Sequence, residues 1–286
     1  QEQGTPAYMV ASESVALQSA DFTLIGDIKP GEIVVLPKTG GIQRHQMSRT
    51  GLRHTPCLFE YVYLARPASV IEGISVYEAR WRIGEAFGQY IKQQWPDLDI
   101  DVVIPVPETS RNVAIPLALA LNTPYREGFD KNHYVGRTFI MPTRHVRRRA
   151  VQQKLNIIGM EFKNRNVLLV DDSIVRGTTS KEIIQMVREA GAKNVYFASA
   201  APEVRFPNLY GIDVPSSKDL VACNRTVDEI AEYIGADRLI YFPLEKLVET
   251  VRAINSELTE FETSIFDGKY VTGLEDEYLS QVNGRG

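Results

Sequence analysis

Asp171 and Asp172 stand side by side at the end of an apolar run, Asn166 to Val170. Ser173, Ile174, Val175, Arg176, Gly177, Thr178, Thr179 and Ser180 follow them. The apolar run predicts a buried parallel strand. Ser180 to Ala190 has helical spacing, and Gly191 stops it. A strand, a loop of small and hydroxyl residues and a helix N-terminus together make an anion cradle, because main-chain N–H groups point at a phosphate there. Gly177 lets the chain come close, and Ser173, Thr178, Thr179 and Ser180 offer hydroxyl donors. Two carboxylates would repel a bare phosphate. Their presence calls for a sugar's vicinal hydroxyls or a magnesium ion bound to them. An ordinary strand end with a capped helix would leave both acids and the hydroxyl run unexplained.

A second strand–loop–helix unit repeats the pattern. Asp101 to Val106 reads as a strand, Pro107 to Asn112 as a polar loop, and a helix runs on to about Leu121. Glu108, Thr109 and Ser110 sit at its start, where Glu108 could equally serve only the helix dipole. From Lys131 to about Lys163 the chain is basic, with Arg137, Arg144, Arg147, Arg148, Arg149 and Lys154. A long loop in a compact domain is usually a lid, a binding loop or disordered, and a cationic lid suits a substrate with several phosphates. A solvated basic surface explains any single one of these arginines as well. His133 and His145 have no nucleophile at a recognisable spacing and read as surface residues.

Other elements must position these loops. Ser75 can cap a helix running to about Gln94, with Glu78 at the capping-box position. Asn194 to Ala200 reads as a strand, and Val227 to Ile234 and Pro243 to Ile254 as amphipathic helices. Alternating strands and helices imply an α/β fold with a mainly parallel sheet and ligands at the carboxyl ends of its strands. Cys57 to Ala65 reads as a strand or buried segment, and Tyr270 to Thr272 as a last strand. Ser12 to Leu17 is ambiguous. Before it all, Glu32 to Leu36 and the turns at Lys29–Gly31 and Thr39–Gly41 suggest a hairpin.

The chain has 286 residues, 44% hydrophobic and 24% charged, with a net charge of -4. That is enough for a sizeable core, and it gives no general pull toward nucleic acid or an anionic membrane. No apolar run reaches the roughly 20 residues a membrane helix needs. Two distant cysteines, Cys57 and Cys223, form no paired metal motif and fit a reduced, cytoplasmic setting.

The stretch from Asp171 to Ser180 resembles the PRPP-binding motif of type I phosphoribosyltransferases. Together with Lys131 to Ile140 and Phe59 to Pro67, it resembles in particular the glutamine phosphoribosylpyrophosphate amidotransferase family, over nearly the whole chain. The resemblance implies a type I phosphoribosyltransferase fold, a mainly parallel sheet flanked by helices with a small hood that includes Tyr210 to Pro215, in residues 51–286. It implies that residues 1–50 are a β remnant of a glutaminase domain otherwise missing, the chain being a piece of a longer one. The implied reaction is that of a pentosyltransferase: PRPP and ammonia give 5-phosphoribosylamine and pyrophosphate in purine biosynthesis. Ammonia comes from glutamine in the full-length family enzyme, so no glutaminase activity is expected from this chain. The resemblance assigns catalysis to Asp171, Asp172, Tyr134, Arg137 and Lys154, the last three as lid contacts closing over PRPP. It assigns PRPP binding to residues 173–180 with Glu108, Thr109, Ser110 and Lys131, and magnesium to Thr109, Asp171 and Asp172. It implies purine nucleotides as feedback inhibitors and a homo-oligomer, a tetramer in the family, with no nucleic-acid or membrane partner. Some members hold an iron–sulfur cluster on four cysteines. Here only Cys57 stands in such a place, the others being replaced by Asn208 and by residues around Glu262 to Ile265, so no cluster is expected. The competing readings are a purine-salvage transferase and a PRPP-binding regulator.

Overall fold

The computed structural model describes residues 7–47, 52–131, 155–213 and 216–273. Its centre is a parallel sheet of β5 (Val102–Pro105), β8 (Asn166–Asp171), β9 (Asn194–Ser199) and β10 (Arg238–Tyr241), in the order β10-β9-β8-β5. Val102 pairs with Val167, Asn166 with Asn194, and Arg238 with Tyr196, so the carboxyl ends of all four strands lie at one edge. Tyr125 adds a parallel bridge beside Val103.

Side chains alternate across a strand, and the core divides accordingly. Val103, Leu168, Val170, Ala198 and Ile240 enter one core, with α2 (Val76–Gln94), α3 (Arg111–Leu121) and α6 (Leu244–Arg252). Val102, Ile104, Val167, Leu169, Val195, Phe197 and Leu239 enter the other, with α4 (Thr178–Glu189) and α5 (Val227–Ile234). Both faces of the sheet are therefore covered, as its continuous apolar strands require.

The helix ends follow their capping chemistry. The Ser75 hydroxyl accepts from the Glu78 N–H at the start of α2, and Thr226 and Glu229 form a reciprocal capping box on α5. α4 begins at Thr178, two residues before the expected start, with Gly177 as its N-cap at φ +71°. α2 and α3 pack with almost no gap. A Cβ added to Gly84 would lie 2.1 Å from the Val113 carbonyl oxygen, and one on Gly88 would lie 2.7 Å from that of Leu117. Only glycine permits that approach.

Three expectations need correction. Cys57 to Ala65 is buried but not a strand. After a bridge at Cys57 to Glu262 it turns into a π-helix, Glu60–Leu64. Its aromatic and β-branched residues mimic a strand in sequence, but the chain packs onto α2 and α7 (Ser264–Asp267) through Phe59 against Phe266, rings 6.0 Å apart. Tyr270 to Thr272 is no strand, since the Val271 N–H donates to the Tyr210 hydroxyl rather than to another main chain. The basic stretch does not run as loop to Lys163. β6 (Phe129–Lys131) pairs antiparallel with β7 (Leu155–Ile157), and Gly159–Glu161 is a 3₁₀ turn.

The N-terminal residues form α1 (Ser14–Ser19) and the expected hairpin, β1 (Glu32–Val35) with β2 (Gln43–Gln46). The Glu13 carboxylate accepts from the Arg66 N–H and the Ser69 hydroxyl, which ties this piece to the turn before β3 (Val70–Ile71) and β4 (Ile74–Ser75).

Candidate active site

Two loops leave the neighbouring strands β5 and β8 at the same edge. The first, Pro107 to Ser110, is held inward. The Ser110 hydroxyl donates to the Val106 carbonyl, so this side chain braces the loop instead of facing a ligand. The Glu108 carboxylate lies 2.6 Å from Lys131 Nζ at the end of β6. Arg111 pairs with Glu127 at 3.2 Å.

The second loop carries the acids. Its main chain is pinned to the end of β9: the Ala200 and Ala201 N–H groups donate to the Asp171 and Asp172 carbonyls at 2.9 and 2.7 Å. Asp171 is partly exposed and Asp172 buried. The Thr109 hydroxyl of the first loop donates to Asp172, and so does Ser173 at 2.8 Å. The Asp172 N–H donates to Asp171 Oδ1 at 2.9 Å. Burial, then the neighbouring carboxylate, push the Asp171 acid well above its usual range. Burial raises Asp172 as well, against the two hydroxyl donors and the Arg80 guanidinium, which favour its ionised form.

Beyond the acids, Ile174 is buried and packs in the core, and the Val175 carbonyl accepts from the Val221 N–H at 2.9 Å. Only the main chain of these two residues can serve a ligand. Arg176, Thr178 and Thr179 are exposed, and Ser180 is buried. No side chain caps α4, which leaves its first N–H groups for an anion. A Cβ on Gly177 would meet Val221 at 3.0 Å and Tyr233 at 3.1 Å, so glycine is required by space as well as by φ.

The arrangement can bind a phosphate at α4 and a diol or hard cation at the acids, 5–7 residues earlier in the chain. The oxygen donors Asp171, Asp172 and Thr109 suit magnesium, and an Asp171 acid weakened by the carboxylate beside it gains from a cation between the two. Among the described residues no group of three or more His, Cys, Asp or Glu side chains gathers to hold a metal alone. A magnesium ion here would need oxygens from its substrate, as is usual for that ion with phosphates.

Known proteins match this chain along most of its length. It is 56% identical over 265 residues to the amidophosphoribosyltransferase of Escherichia coli, covering 93% of this chain and 52% of that one. The amidophosphoribosyltransferase of Saccharomyces cerevisiae is 50% identical over 281 residues, covering 98% and 55%. The solved glutamine PRPP amidotransferase from B. subtilis, complexed with ADP and GMP, superposes with a TM-score of 0.79 at 36% identity, covering 91% of this chain and 56% of that one. The chain is a relative of the amidophosphoribosyltransferases. It spans about half the length of the curated relatives it matches. No protein-family model matches it.

The fold that the chain shares with these amidophosphoribosyltransferases is the type I phosphoribosyltransferase fold, a central parallel sheet flanked by helices. The structure brings Glu108, Thr109, Ser110, Lys131 and the 171–180 loop to one edge of that sheet. Tyr134, Arg137 and Lys154 lie outside the described residues. In the segment expected to form the hood, Asn208 Oδ1 accepts from the Tyr210 and Ile212 N–H groups, and Tyr210 meets Tyr270 edge-on with ring centres 6.4 Å apart. Burial, then Glu262 beside it, push the Cys57 thiol up to about 12, so it is a neutral, partly buried group. Sequence reasoning missed Arg80. The available signal was a charged residue inside the apolar stripe Val76, Ala79, Ile83 and Phe87. Among the described residues no helix is long and apolar enough to cross a membrane.

Proposed function

We infer that this chain carries the phosphoribosyl-transferring part of an amidophosphoribosyltransferase. In this reading PRPP and ammonia give 5-phosphoribosylamine and pyrophosphate. The observation that carries the reading is the acidic pair at the end of β8, joined by the short loop of residues 173–177 to the uncapped N-terminus of α4. The amidophosphoribosyltransferase relatives support it.

The chain's own residues then act as follows. The N–H groups of Gly177 to Ser180 and the exposed Thr178 and Thr179 hydroxyls bind the 5′-phosphate. Asp171 and Asp172 hold the ribose hydroxyls, and their charge favours the positive character that grows on the sugar as its anomeric bond breaks. Lys131 and the loop from Glu108 to Ser110 face the pyrophosphate. Tyr134, Arg137 and Lys154 close over it. The ammonia nitrogen forms the new bond to the anomeric carbon, pyrophosphate leaves with the electron pair of the old bond, and the nitrogen gives up a proton to solvent. Ammonia is already nucleophilic, so no strong general base is needed. Magnesium, held by Asp171, Asp172 and Thr109, would neutralise charge on the pyrophosphate when bound.

The rest of the reading concerns the longer protein. Residues 1–50 are the remnant of a glutaminase domain and residues 51–286 the transferase domain. The exposure of Ile33, Val35 and Met47 on the hairpin supports a missing covering layer there. Glutamine supplies ammonia in the full-length protein. Purine nucleotides inhibit by placing their own phosphate in the α4 cradle, a reading in line with the ADP and GMP of the B. subtilis relative. The protein is cytoplasmic and a homo-oligomer, a tetramer as the family resemblance implies.

The test is pyrophosphate release from PRPP with magnesium and ammonium chloride, beside the Asp171→Asn/Asp172→Asn variant. Ammonia-dependent release lost in the variant is the expected result. A folded sample that binds no PRPP would sink the reading.

A further inference from the structure

Tyr233 lies in the last turn of α5, behind the turn that opens the phosphate cradle. Its Cε1 is 3.1 Å from the point a Cβ on Gly177 would occupy, and Val221 Cγ2 is 3.0 Å from the same point. The Val221 N–H donates to the Val175 carbonyl at 2.9 Å, two residues before Gly177. Two cations lean on the same ring. Lys181 Nζ, from the start of α4, lies 4.9 Å from the ring centre. Arg225 Cζ lies 5.4 Å from it, and Arg225 also donates to the Val221 carbonyl at 3.0 Å. One half-buried ring therefore meets the Gly177 turn, the helix that follows it and the arginine that braces the segment behind it.

The cradle needs such a brace. Glycine gives up more conformational freedom than any other residue when it is fixed, and no side chain caps α4. The N–H groups of residues 177–180 hold one direction only if neighbours hold the turn. Lys181 also stands in an unfavourable place, since a cation near a helix N-terminus opposes the dipole, and α4 has no acid in its first turn. The negative face of an aromatic ring offsets that cost. An aliphatic side chain could fill the space beside Gly177 but could not hold the cations.

We propose that Tyr233 is a positioning residue for phosphate binding: its ring backs the Gly177 turn and draws Lys181 and Arg225 to it, so that the N–H groups of α4 are set before a phosphate arrives. The role rests on the transferase reading of the site. It acts through Gly177 and Lys181. All these contacts are made by the ring, so the role belongs to the ring and not to the hydroxyl.

The test separates ring, hydroxyl and charge. Tyr233→Phe keeps the ring. Tyr233→Leu loses it and keeps an apolar side chain, and Tyr233→Met takes its place should Leu fail to fold. Lys181→Met removes one cation. Each is measured for melting temperature, for the dissociation constant of ribose 5-phosphate by calorimetry, and for the PRPP KM and kcat of ammonia-dependent pyrophosphate release per folded molecule. In Tyr233→Leu the ribose 5-phosphate constant and the PRPP KM should both rise about tenfold, with kcat changed less than about threefold. Tyr233→Phe should stay within about twofold of the parent throughout, and Lys181→Met should raise both constants about threefold. A Leu variant that loses melting temperature but keeps both constants would overturn the proposal, as would a Phe variant as impaired as Leu. An unchanged Lys181→Met would overturn the share given to the cations. Asp171→Asn/Asp172→Asn with unimpaired turnover removes the transferase reading itself; impaired turnover there beside an indifferent Tyr233→Leu removes only this proposal.

Discussion

The two loops at the carboxyl edge of the sheet share one plan and differ in what they leave free. The Pro107–Ser110 loop is spent on structure. Its serine bonds its own strand, its glutamate pairs with Lys131, and its helix is pressed against α2 through Gly84 and Gly88. The Asp171–Gly177 loop leaves more of itself open. Its main chain is pinned at both ends, yet the Thr178 and Thr179 hydroxyls and the helix N-terminus that follow it stay open, and it gathers two carboxyl groups. In the transferase reading proposed above, the first loop is a fixed wall and the second the reacting surface. Thr109 is the one side chain that crosses from wall to surface.

The largest expected effect follows from removing the charges of the second loop. Asp171→Asn/Asp172→Asn should lower ammonia-dependent turnover by about 10³-fold with the fold intact by circular dichroism. A loss below tenfold would erase the contrast. The wall should fail differently. Gly84→Ala puts a methyl into the Val113 carbonyl and should cost about 3 kcal/mol in urea unfolding, with kcat per folded molecule little changed. Next comes Gly177→Ala. A side chain at φ +71°, crowded by Val221, costs about 1–2 kcal/mol in conformation alone. The PRPP dissociation constant by calorimetry should rise about tenfold, with the unfolding midpoint shifting less than in Gly84→Ala.

The smallest effect concerns pH. Both acids sit above their usual range in the folded chain. A group raised in this way contributes stability below its unfolded value, near 4, and that contribution is lost as pH rises through the folded one. Asp171→Asn should therefore raise the melting temperature at pH 7 by about 2 °C, and the gain should vanish toward pH 4. No comparable gain is expected from Glu108→Gln, whose carboxylate is matched by Lys131.

Much of this was legible in the amino-acid sequence, for local reasons. The acidic pair, the glycine and the helix after it are consecutive, so their joint meaning needs no tertiary information. The caps at Ser75 and the hairpin around Gly40 are local in the same way. What escaped depends on distant partners. Phe59 to Leu64 has the residues of a strand, yet it turns helical because α2 and Phe266 offer it a packing surface instead of a neighbouring strand. Tyr270 to Thr272 lacks a partner strand and is held by the hydroxyl of Tyr210. Arg80 was invisible because the groups that satisfy it are carbonyls 15 to 19 residues away, and carbonyls leave no mark on composition. The inward turn of Ser110 is likewise a matter of geometry that residue type alone does not carry.

Helix α2 bears Arg80, Gly84 and Gly88 at intervals of four, one above another on nearly the same stripe. The first holds the carbonyls of Tyr61, Tyr63 and Ala65, and the other two locate α3 and with it the wall. The angular phase of this one helix thus sets the π-helix and the first loop at once. A single residue inserted between Tyr77 and Ala79 would rotate that part of the stripe by about 100° relative to the turn that precedes it, taking the cation and the glycine seat out of alignment together. An insertion of seven residues, close to two whole turns, would nearly restore the phase. Length variation in α2 should therefore be tolerated by whole turns and not by single residues.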